Sequence, residues 1–194
     1  MEITIPSPST ITLKTKAATA AILFGDENAS NLKSDILLDT NAGDSDSKRT
    51  TAADFSVDSP GEFEYGGMAI LGLDTMHSTH EKVSYRVNVS GLNSVFLDDT
   101  VTNLDDNSLE QLGTIDLLFI PIGANSDITP AVASKLVRAC DPTYLIPVPV
   151  SKSDNSVVDE WLKKDFASNE AIQEEVFKLK PADTNEIFKI IKLY

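Results

Sequence analysis

The sequence predicts an α/β protein in which two β-sheets pack face to face and helices lie outside them, as one domain over 1–194. The first 100 residues consist mainly of short runs of Val, Ile, Leu, Phe and Thr between turn residues, which is typical of strands. The second half alternates continuous apolar runs with amphipathic stretches. This alternation is typical of strands buried on both faces and joined by helices.

Nine strands are predicted in the first half, separated by residues that favour turns. They cover 2–5, 10–14, 18–24, 35–39, 55–57, 63–65, 68–73, 83–89 and 94–97. The turn signals include Pro60-Gly61, Gly66-Gly67 and the segment 90–93, each of which supplies a positive or a fixed φ. We therefore expect meandering antiparallel pairs in this half.

The second half predicts a β-α-β crossover. Strands are expected at 117–120 and 144–146, with a helix between them that starts at the N-cap Thr129 and has Pro130 in its first position. One face of this helix carries Val132, Leu136, Val137 and Cys140.

The last 40 residues predict one more helix and two closing strands. Ser156 and Asp159 have the spacing of a capping box, which predicts a helix over 157–166 with Trp161 packed inward. Closing strands are expected at 176–179 and 187–193.

Composition excludes several functional classes. Sixteen basic and thirty acidic residues give a net charge of −14, which repels phosphate backbones and anionic lipids, so neither nucleic acid nor a membrane is an expected partner. Solubility explains this acidity more simply than the alternative, a cationic ligand or a basic protein partner.

No signal peptide or membrane span is recognisable, and a cytoplasmic location is expected.

Cysteine usage limits the chemistry further. Cys140 is the only cysteine, so an intramolecular disulfide is impossible and a structural zinc site built on thiolates is excluded. We expect this residue to act as a small hydrophobic side chain in the core.

Seven segments spread over nearly the whole chain carry a family resemblance. They are MEIT (1–4), DILLDT (35–40), PGEFE (60–64), GLNSVFLD (91–98), IDLLFIPIG (115–123), ASKLV (133–137) and PTYLIP (142–147). Together they resemble the metallo-β-lactamase superfamily, in particular its compact bacterial and archaeal branch of predicted metal-dependent hydrolases. The resemblance implies a four-layer αββα sandwich with two mainly antiparallel or mixed sheets and helices outside.

The resemblance also implies a metal loop, whose ligands are missing here. In that family a Thr-His-x-His-x-Asp-His loop binds zinc, and the metal lowers the pKa of a bound water to about 7. In this chain Thr40 matches, but Asn41 and Gly43 stand at the first two histidine positions. Ser45 falls at the aspartate and Asp46 at the third histidine.

The remaining ligand positions implied by the family are equally altered. A His-Leu-Gly-Asp pattern corresponds here to Phe96-Leu-Asp-Asp99, so that Asp99 alone matches a ligand. Pro149 stands where a last histidine is expected, and Ser7-Pro8-Ser9 replaces a Gly-His-Ser pattern. Because Phe, Pro and Gly cannot coordinate zinc, and Asn and Asp offer only hard oxygens, we expect neither a zinc centre nor another cofactor.

Two alternatives for metal binding remain open. An oxygen-ligated site for Mg, Mn or Ca would use Asp44, Asp46, Asp98 and Asp99. A solvated acidic rim, in which Asp99 caps a turn, is the favoured interpretation of the same aspartates. His77 and His80 have the spacing of an adventitious chelate, although exposed loop residues explain them more simply.

These expectations lead to three hypotheses of function. The first is a catalytically inactive relative of the hydrolases, a pseudoenzyme kept for binding a protein partner or for self-assembly. The second is a hydrolase with a rebuilt carboxylate site, in which Asp99 bridges and Asp46 replaces a histidine. The third is a module that binds a small molecule in the old cleft.

Overall fold

The computed structural model describes residues 1–24, 32–41, 53–74, 82–123, 126–181 and 187–194, and their strands form two sheets. The strands are β1 (Glu2–Ser7), β2 (Thr10–Lys14), β3 (Thr19–Leu23), β4 (Ile36–Asp39), β5 (Phe55–Val57), β6 (Gly61–Tyr65), β7 (Met68–Leu73), β8 (Ser84–Val89), β9 (Leu92–Phe96), β10 (Leu117–Ile122), β11 (Tyr144–Pro149), β12 (Ala171–Glu174), β13 (Phe177–Lys178) and β14 (Lys189–Leu193). The six-stranded sheet has the order β13-β1-β2-β3-β4-β5, and the eight-stranded sheet has the order β12-β14-β11-β10-β9-β8-β7-β6.

The predicted hairpins of the eight-stranded sheet are confirmed. Ser90 and Gly91 have φ of 54° and 88°, and Gly66 and Gly67 have φ of 58° and 76°. Two consecutive left-handed residues form the tight turn whose twist matches that of the strands it joins. The strands of this region form the antiparallel pairs β6·β7, β7·β8 and β8·β9.

The expectation of antiparallel pairs throughout the first half was wrong for β3, β4 and β5. These three strands are parallel, with Leu23 opposite Asp39 and Leu38 opposite Val57. The connections between them, 24–35 and 40–54, are long enough for a crossover, which needs about a dozen residues. Connection length was therefore the signal that should have decided their direction.

The β-α-β crossover of the second half is confirmed. Strands β10 and β11 are parallel, and α2 (Pro130–Cys140) connects them, with the Thr129 side chain accepting a hydrogen bond from the backbone N–H of Val132. Two more helices, α1 (Asp106–Leu112) and α3 (Asn155–Asp165), complete the α-helices of the described residues. Neither α1 nor β12 was predicted from the sequence.

The predicted start of the last helix was wrong by two residues. Helix α3 begins at Asn155, so Ser156 lies inside it. The capping box belongs instead to Ser151 and Asp154, which open a short 3₁₀ turn over Lys152–Asp154. The Asp154 carboxylate accepts hydrogen bonds from the backbone N–H and the hydroxyl of Ser151.

Buried side chains form two main cores, one on each face of the eight-stranded sheet. The core between the sheets includes Ile22, Phe96 and Phe119, and the core under the helices includes Trp161 and Cys140. The expected core positions of Trp161 and Cys140 are thus confirmed. In the described part of the chain, no helix is long and apolar enough to span a membrane.

Candidate functional site

The candidate site lies where parallel strands end in both sheets. Strands β9, β10 and β11 are adjacent and parallel. Phe96 and Pro149, the last residues of β9 and β11, therefore lie at the same end of these strands. Strands β3 and β4 are parallel in the small sheet, which brings the ends of both strands, Leu23 and Asp39, to one edge. Carboxyl ends of parallel strands are the usual place for a site in such sheets.

Buried hydrogen bonds hold the end of β4 against the start of β8. The backbone N–H of Val83 donates to the Thr40 carbonyl oxygen at 3.0 Å, and the Thr40 hydroxyl donates to the Leu23 carbonyl oxygen at 2.9 Å. The Tyr85 hydroxyl donates to the carbonyl oxygen of Asp39 at 2.6 Å and lies 3.0 Å from that of Val57. The beginning of the candidate metal loop is therefore fixed to the second sheet.

Burial also sets the protonation state of Tyr85. Desolvation, with the nearby Asp39 and Asp58 carboxylates, raises the pKa of Tyr85 well above its usual value of 10.0. The phenol therefore remains a neutral hydrogen-bond donor at physiological pH.

Asp99, the one residue that matches a family ligand, is paired with a lysine. Its Oδ1 atom lies 3.0 Å from Lys82 Nζ, and both side chains are largely buried, with exposures of 12% and 13%. The Asp99 carbonyl oxygen accepts hydrogen bonds from the backbone N–H of Asp127 at 2.9 Å and from the Ser126 hydroxyl at 3.0 Å. The position of Asp99 is thus fixed through its backbone, and its carboxylate contacts an ammonium group.

Asp98 is held by hydrogen bonds that shape the turn after β9. Its Oδ2 atom accepts from the Ser84 hydroxyl at 2.8 Å, and its backbone N–H donates to the same hydroxyl at 2.9 Å. Its Oδ1 atom accepts from the N–H of Thr100 at 2.9 Å and from the Thr100 hydroxyl at 2.6 Å. The turn-capping role that was expected of Asp99 therefore belongs to Asp98, and neither carboxylate forms the solvated rim that was expected.

Phe96 takes part in core packing, and Pro149 takes part in strand pairing. The Phe96 ring is fully buried between the sheets and stacks on Phe119 with a centroid distance of 4.3 Å. Pro149 pairs with Ile122 at the end of β11, and its carbonyl oxygen accepts a hydrogen bond from the Ser9 N–H at 3.2 Å. The segment 7–9, which replaces the family's Gly-His-Ser pattern, therefore contacts the end of β11.

The first ligand loop is described only at its beginning. The backbone N–H of Asn41 donates to the Asp39 carboxylate at 2.9 Å, as in an Asx turn. The other candidate residues of this loop, and the two histidines between β7 and β8, lie outside the described residues. They are Gly43, Asp44, Ser45, Asp46, His77 and His80.

The donor set of the described residues does not fit a zinc centre. Phe96 and Pro149 have no side-chain lone pair to offer, the Asp98 carboxylate already accepts three hydrogen bonds, and Asp99 contacts Lys82. Within the described ranges, no group of three or more His, Cys, Asp or Glu side chains could hold a metal ion.

Sequence reasoning missed Lys82, Ser84 and Tyr85. All three lie at the start of the predicted strand 83–89 or immediately before it, and they contact residues at least 14 positions away in the chain. The only sequence signal was a lysine immediately before a predicted strand. Contacts across this distance depend on the tertiary fold and leave no local pattern.

Comparison with known proteins identifies the family. Residues 24–149, more than half of the chain, match the family described as "Beta-lactamase superfamily domain". No curated protein sequence matches the chain significantly.

Several solved structures share the fold. A candidate zinc-dependent hydrolase of the metallo-β-lactamase superfamily from Thermotoga maritima superposes with a TM-score of 0.79 at 19% identity, over 99% of this chain and 97% of that protein. Igni18, a metallo hydrolase from Ignicoccus hospitalis, gives 0.65 at 15% identity, over 92% of this chain and 99% of its own. A candidate metal-dependent hydrolase from Parabacteroides distasonis gives 0.61 at 17% identity, over 84% and 88%.

At these identities the structural matches establish the fold alone. The two mixed sheets and their strand order are consistent with the family that residues 24–149 match. The chain therefore belongs to the β-lactamase superfamily domain family and has the metallo-β-lactamase fold.

Proposed function

We propose that this protein is a catalytically inactive member of the metallo-β-lactamase superfamily that acts by binding another protein. The observation that carries this proposal is the packing of Phe96 at a position where the family resemblance implies a ligand. The ring is fully buried and stacked on Phe119, so a metal-binding side chain at this position would cost core packing. Loss of the catalytic demand leaves such positions free to favour stability.

The rebuilt carboxylate site is less well supported. It needs Asp98 and Asp99 as oxygen ligands, together with Asp44 and Asp46, which lie outside the described residues. Asp98 is fully buried and hydrogen-bonded to Ser84 and Thr100, and Asp99 is paired with Lys82. A cation at this site would have to displace Lys82 and break hydrogen bonds that shape the turn.

An activity screen tests the absence of hydrolysis. The purified protein is incubated with phosphoester, lactone and amide substrates in the presence of Zn²⁺, Mn²⁺ or Mg²⁺, beside the variant Asp99→Ala. We expect no rate above the metal-only background for either protein. A metal-dependent rate that Asp99→Ala abolishes would establish the rebuilt hydrolase instead.

The binding role needs a surface, and the C-terminal part of the chain provides one. Among the described residues, the exposed large hydrophobic side chains are Ile172, Val176, Ile187 and Tyr194. Strand β12, which contains Ile172, lies at the edge of the eight-stranded sheet and, in the part of the chain that is described, pairs with β14 only. An open strand edge can accept an additional strand from another chain.

The negative charge around β12 indicates which kind of partner would bind there. Glu174 at the end of β12 is exposed, as are the flanking residues Glu170 and Glu175, and the whole chain has a net charge of −14. Two copies joined along β12 would bring these carboxylates together, whereas an extended segment rich in Lys or Arg would neutralise them. The partner that fits best is therefore a basic protein segment in β conformation.

A peptide pair tests this interface. Amide chemical shifts of 171–174 are followed by NMR during titration with an octapeptide of alternating Lys and Val, and with its Glu-Val counterpart as a control. We expect shifts with the basic peptide only, and their loss in the variant Ile172→Asp. Shifts that depend on protein concentration without peptide would indicate self-assembly, and no shift with either peptide would reject this edge.

A cytoplasmic location remains part of the proposal. Fractionation of the source cells tests it, and recovery of the protein from a membrane or secreted fraction would contradict it.

A further inference from the structure

We propose that the ammonium group of Lys82 is a built-in replacement for the metal cation at Asp99, and that Lys82 and the adjacent Val83 together join the two segments that carry ligands in the family. The inference deepens the proposed function and rests on its first part, the loss of the metal centre. It concerns a positioning residue, because Lys82 contacts Asp99 and no reacting atom is involved.

The position of Lys82 in the chain supports this role. The next residue, Val83, donates a backbone hydrogen bond to Thr40, which begins the candidate metal loop. The Lys82 side chain reaches Asp99, the matched ligand after β9, at 3.0 Å. Two adjacent residues, Lys82 and Val83, thus link the segment after β4 to the segment after β9, which is the connection that a shared metal ion would otherwise provide.

The electrostatic surroundings require a cation at this point. Asp98 and Asp99 are both buried and are consecutive residues of the segment after β9. Carboxylates that are withdrawn from water and close to one another must be protonated, hydrogen-bonded or paired with a positive charge. Asp98 has its hydrogen bonds, and Asp99 has the ammonium group.

Lysine can take over the structural part of a metal's work but not the chemical part. An ammonium group supplies one positive charge and three hydrogen-bond donors from the end of a flexible side chain. It has no open coordination position, and it cannot lower the pKa of a bound water as a divalent metal does. The substitution therefore preserves the architecture of the site and leaves hydrolysis without its activator.

Removal of the ammonium group should expose a carboxylate that accepts an external cation. Thermal unfolding is measured for the wild type, Lys82→Ala, Lys82→Met, Lys82→Arg and the double variant Lys82→Ala/Asp99→Asn, each with and without millimolar Mn²⁺ or Mg²⁺. We expect Lys82→Ala and Lys82→Met to lower Tm by roughly 4–8 °C, since an unpaired buried charge is left behind, and Lys82→Arg to retain most of the stability.

The cation response is the decisive readout. We expect Mn²⁺ to raise the Tm of Lys82→Ala by several degrees, with little effect on the wild type and none on the double variant, which lacks the carboxylate. Lys192→Ala is the matched control, because Lys192 pairs with Asp159 at 2.5 Å outside the candidate site. Its Tm should not respond to the cation.

Three results would overturn the inference. They are an unchanged Tm in Lys82→Met, an equal response of Lys82→Ala and the double variant to Mn²⁺, and a response of the wild type as large as that of Lys82→Ala. Failure of this test is separable from failure of the proposed function, because the unfolding measurements need no substrate and the activity screen needs no Lys82 variant.

Discussion

At the residue scale, individual buried polar side chains hold the end of β4 against β8, where the family site would lie. Tyr85 is the largest of them, and its hydroxyl connects β8 to the carbonyl groups of Asp39 and Val57 in the other sheet. A buried carbonyl group that loses its donor bears the full cost of its desolvation. Small changes in this region should therefore have measurable effects on stability.

Tyr85→Phe removes only the hydroxyl and leaves the ring in place. We expect a loss of about 1–3 kcal/mol in the free energy of unfolding, because two buried carbonyl oxygens lose their shared donor. Urea denaturation at neutral pH measures the difference. Tyr65→Phe on the half-buried β6 is the control and should change stability by less than about 0.5 kcal/mol.

The same residue predicts a pH dependence. The pKa of Tyr85 is raised in the folded state, so above its unfolded value of 10.0 the unfolded chain releases the proton first and unfolding becomes more favourable. The wild type should lose about 1.4 kcal/mol per pH unit above pH 10 relative to Tyr85→Phe, in which this titration is absent. Parallel stability curves of the two proteins between pH 9 and 11 would contradict the expectation.

Cys140 should be chemically inert in the folded protein. It is buried at the end of α2, and burial raises the pKa of its thiol to about 12. The thiolate is the nucleophile, so a disulfide reagent at pH 8 should react with the thiol only as fast as the protein unfolds. Immediate stoichiometric labelling of the native protein would contradict this expectation.

At the element scale, one serine joins the two long helices. The Trp161 indole N–H of α3 donates to the Ser134 hydroxyl of α2 at 2.8 Å, and this hydroxyl also contacts Asp165. We expect Ser134→Ala to destabilise the protein by about 1–2 kcal/mol, because the buried indole N–H loses its acceptor. Ser156→Ala in the exposed first turn of α3 is the matched control and should change stability by less than about 0.5 kcal/mol, as measured by urea denaturation.

The elements were predicted from the sequence where their patterns are local. Strands β7 to β11 and helix α2 have strong apolar runs, glycine turns and a capped start, and each was located to within about two or three residues. Helix α1 has only seven residues, of which Leu112 alone is buried, and β12 has no buried residue. Such elements depend on neighbours that a sequence pattern does not show.

At the scale of the whole molecule, the metallo-β-lactamase fold is retained although its described ligand positions do not fit a zinc centre. Strands β4, β9 and β11 overlap three of the segments that carry the resemblance. Their last residues contribute Phe96 and Pro149 to packing and strand pairing. The resemblance could predict that Phe96 and Pro149 stand at ligand positions of the family. Such an assignment needs only the order of the matching segments along the chain.

The contacts of Lys82, Asp98 and Asp99 could not be predicted in this way. Lys82 and Asp99 are 17 positions apart, and their pairing depends on how β8 and β9 are placed beside the loop after β4. The division of roles between Asp98 and Asp99 is equally a property of the folded turn. The resemblance predicts which ligand positions are altered, and the structure shows which contacts Asp98 and Asp99 form.

Metal analysis tests the central claim most directly. The protein is expressed without an affinity tag that binds metals, purified without chelators, incubated with excess Zn²⁺, passed over a desalting column and analysed by inductively coupled plasma mass spectrometry. The account predicts much less than one zinc ion per chain, with no difference between the wild type and Asp99→Asn. Retention of one or two zinc ions per chain that Asp99→Asn loses would contradict it.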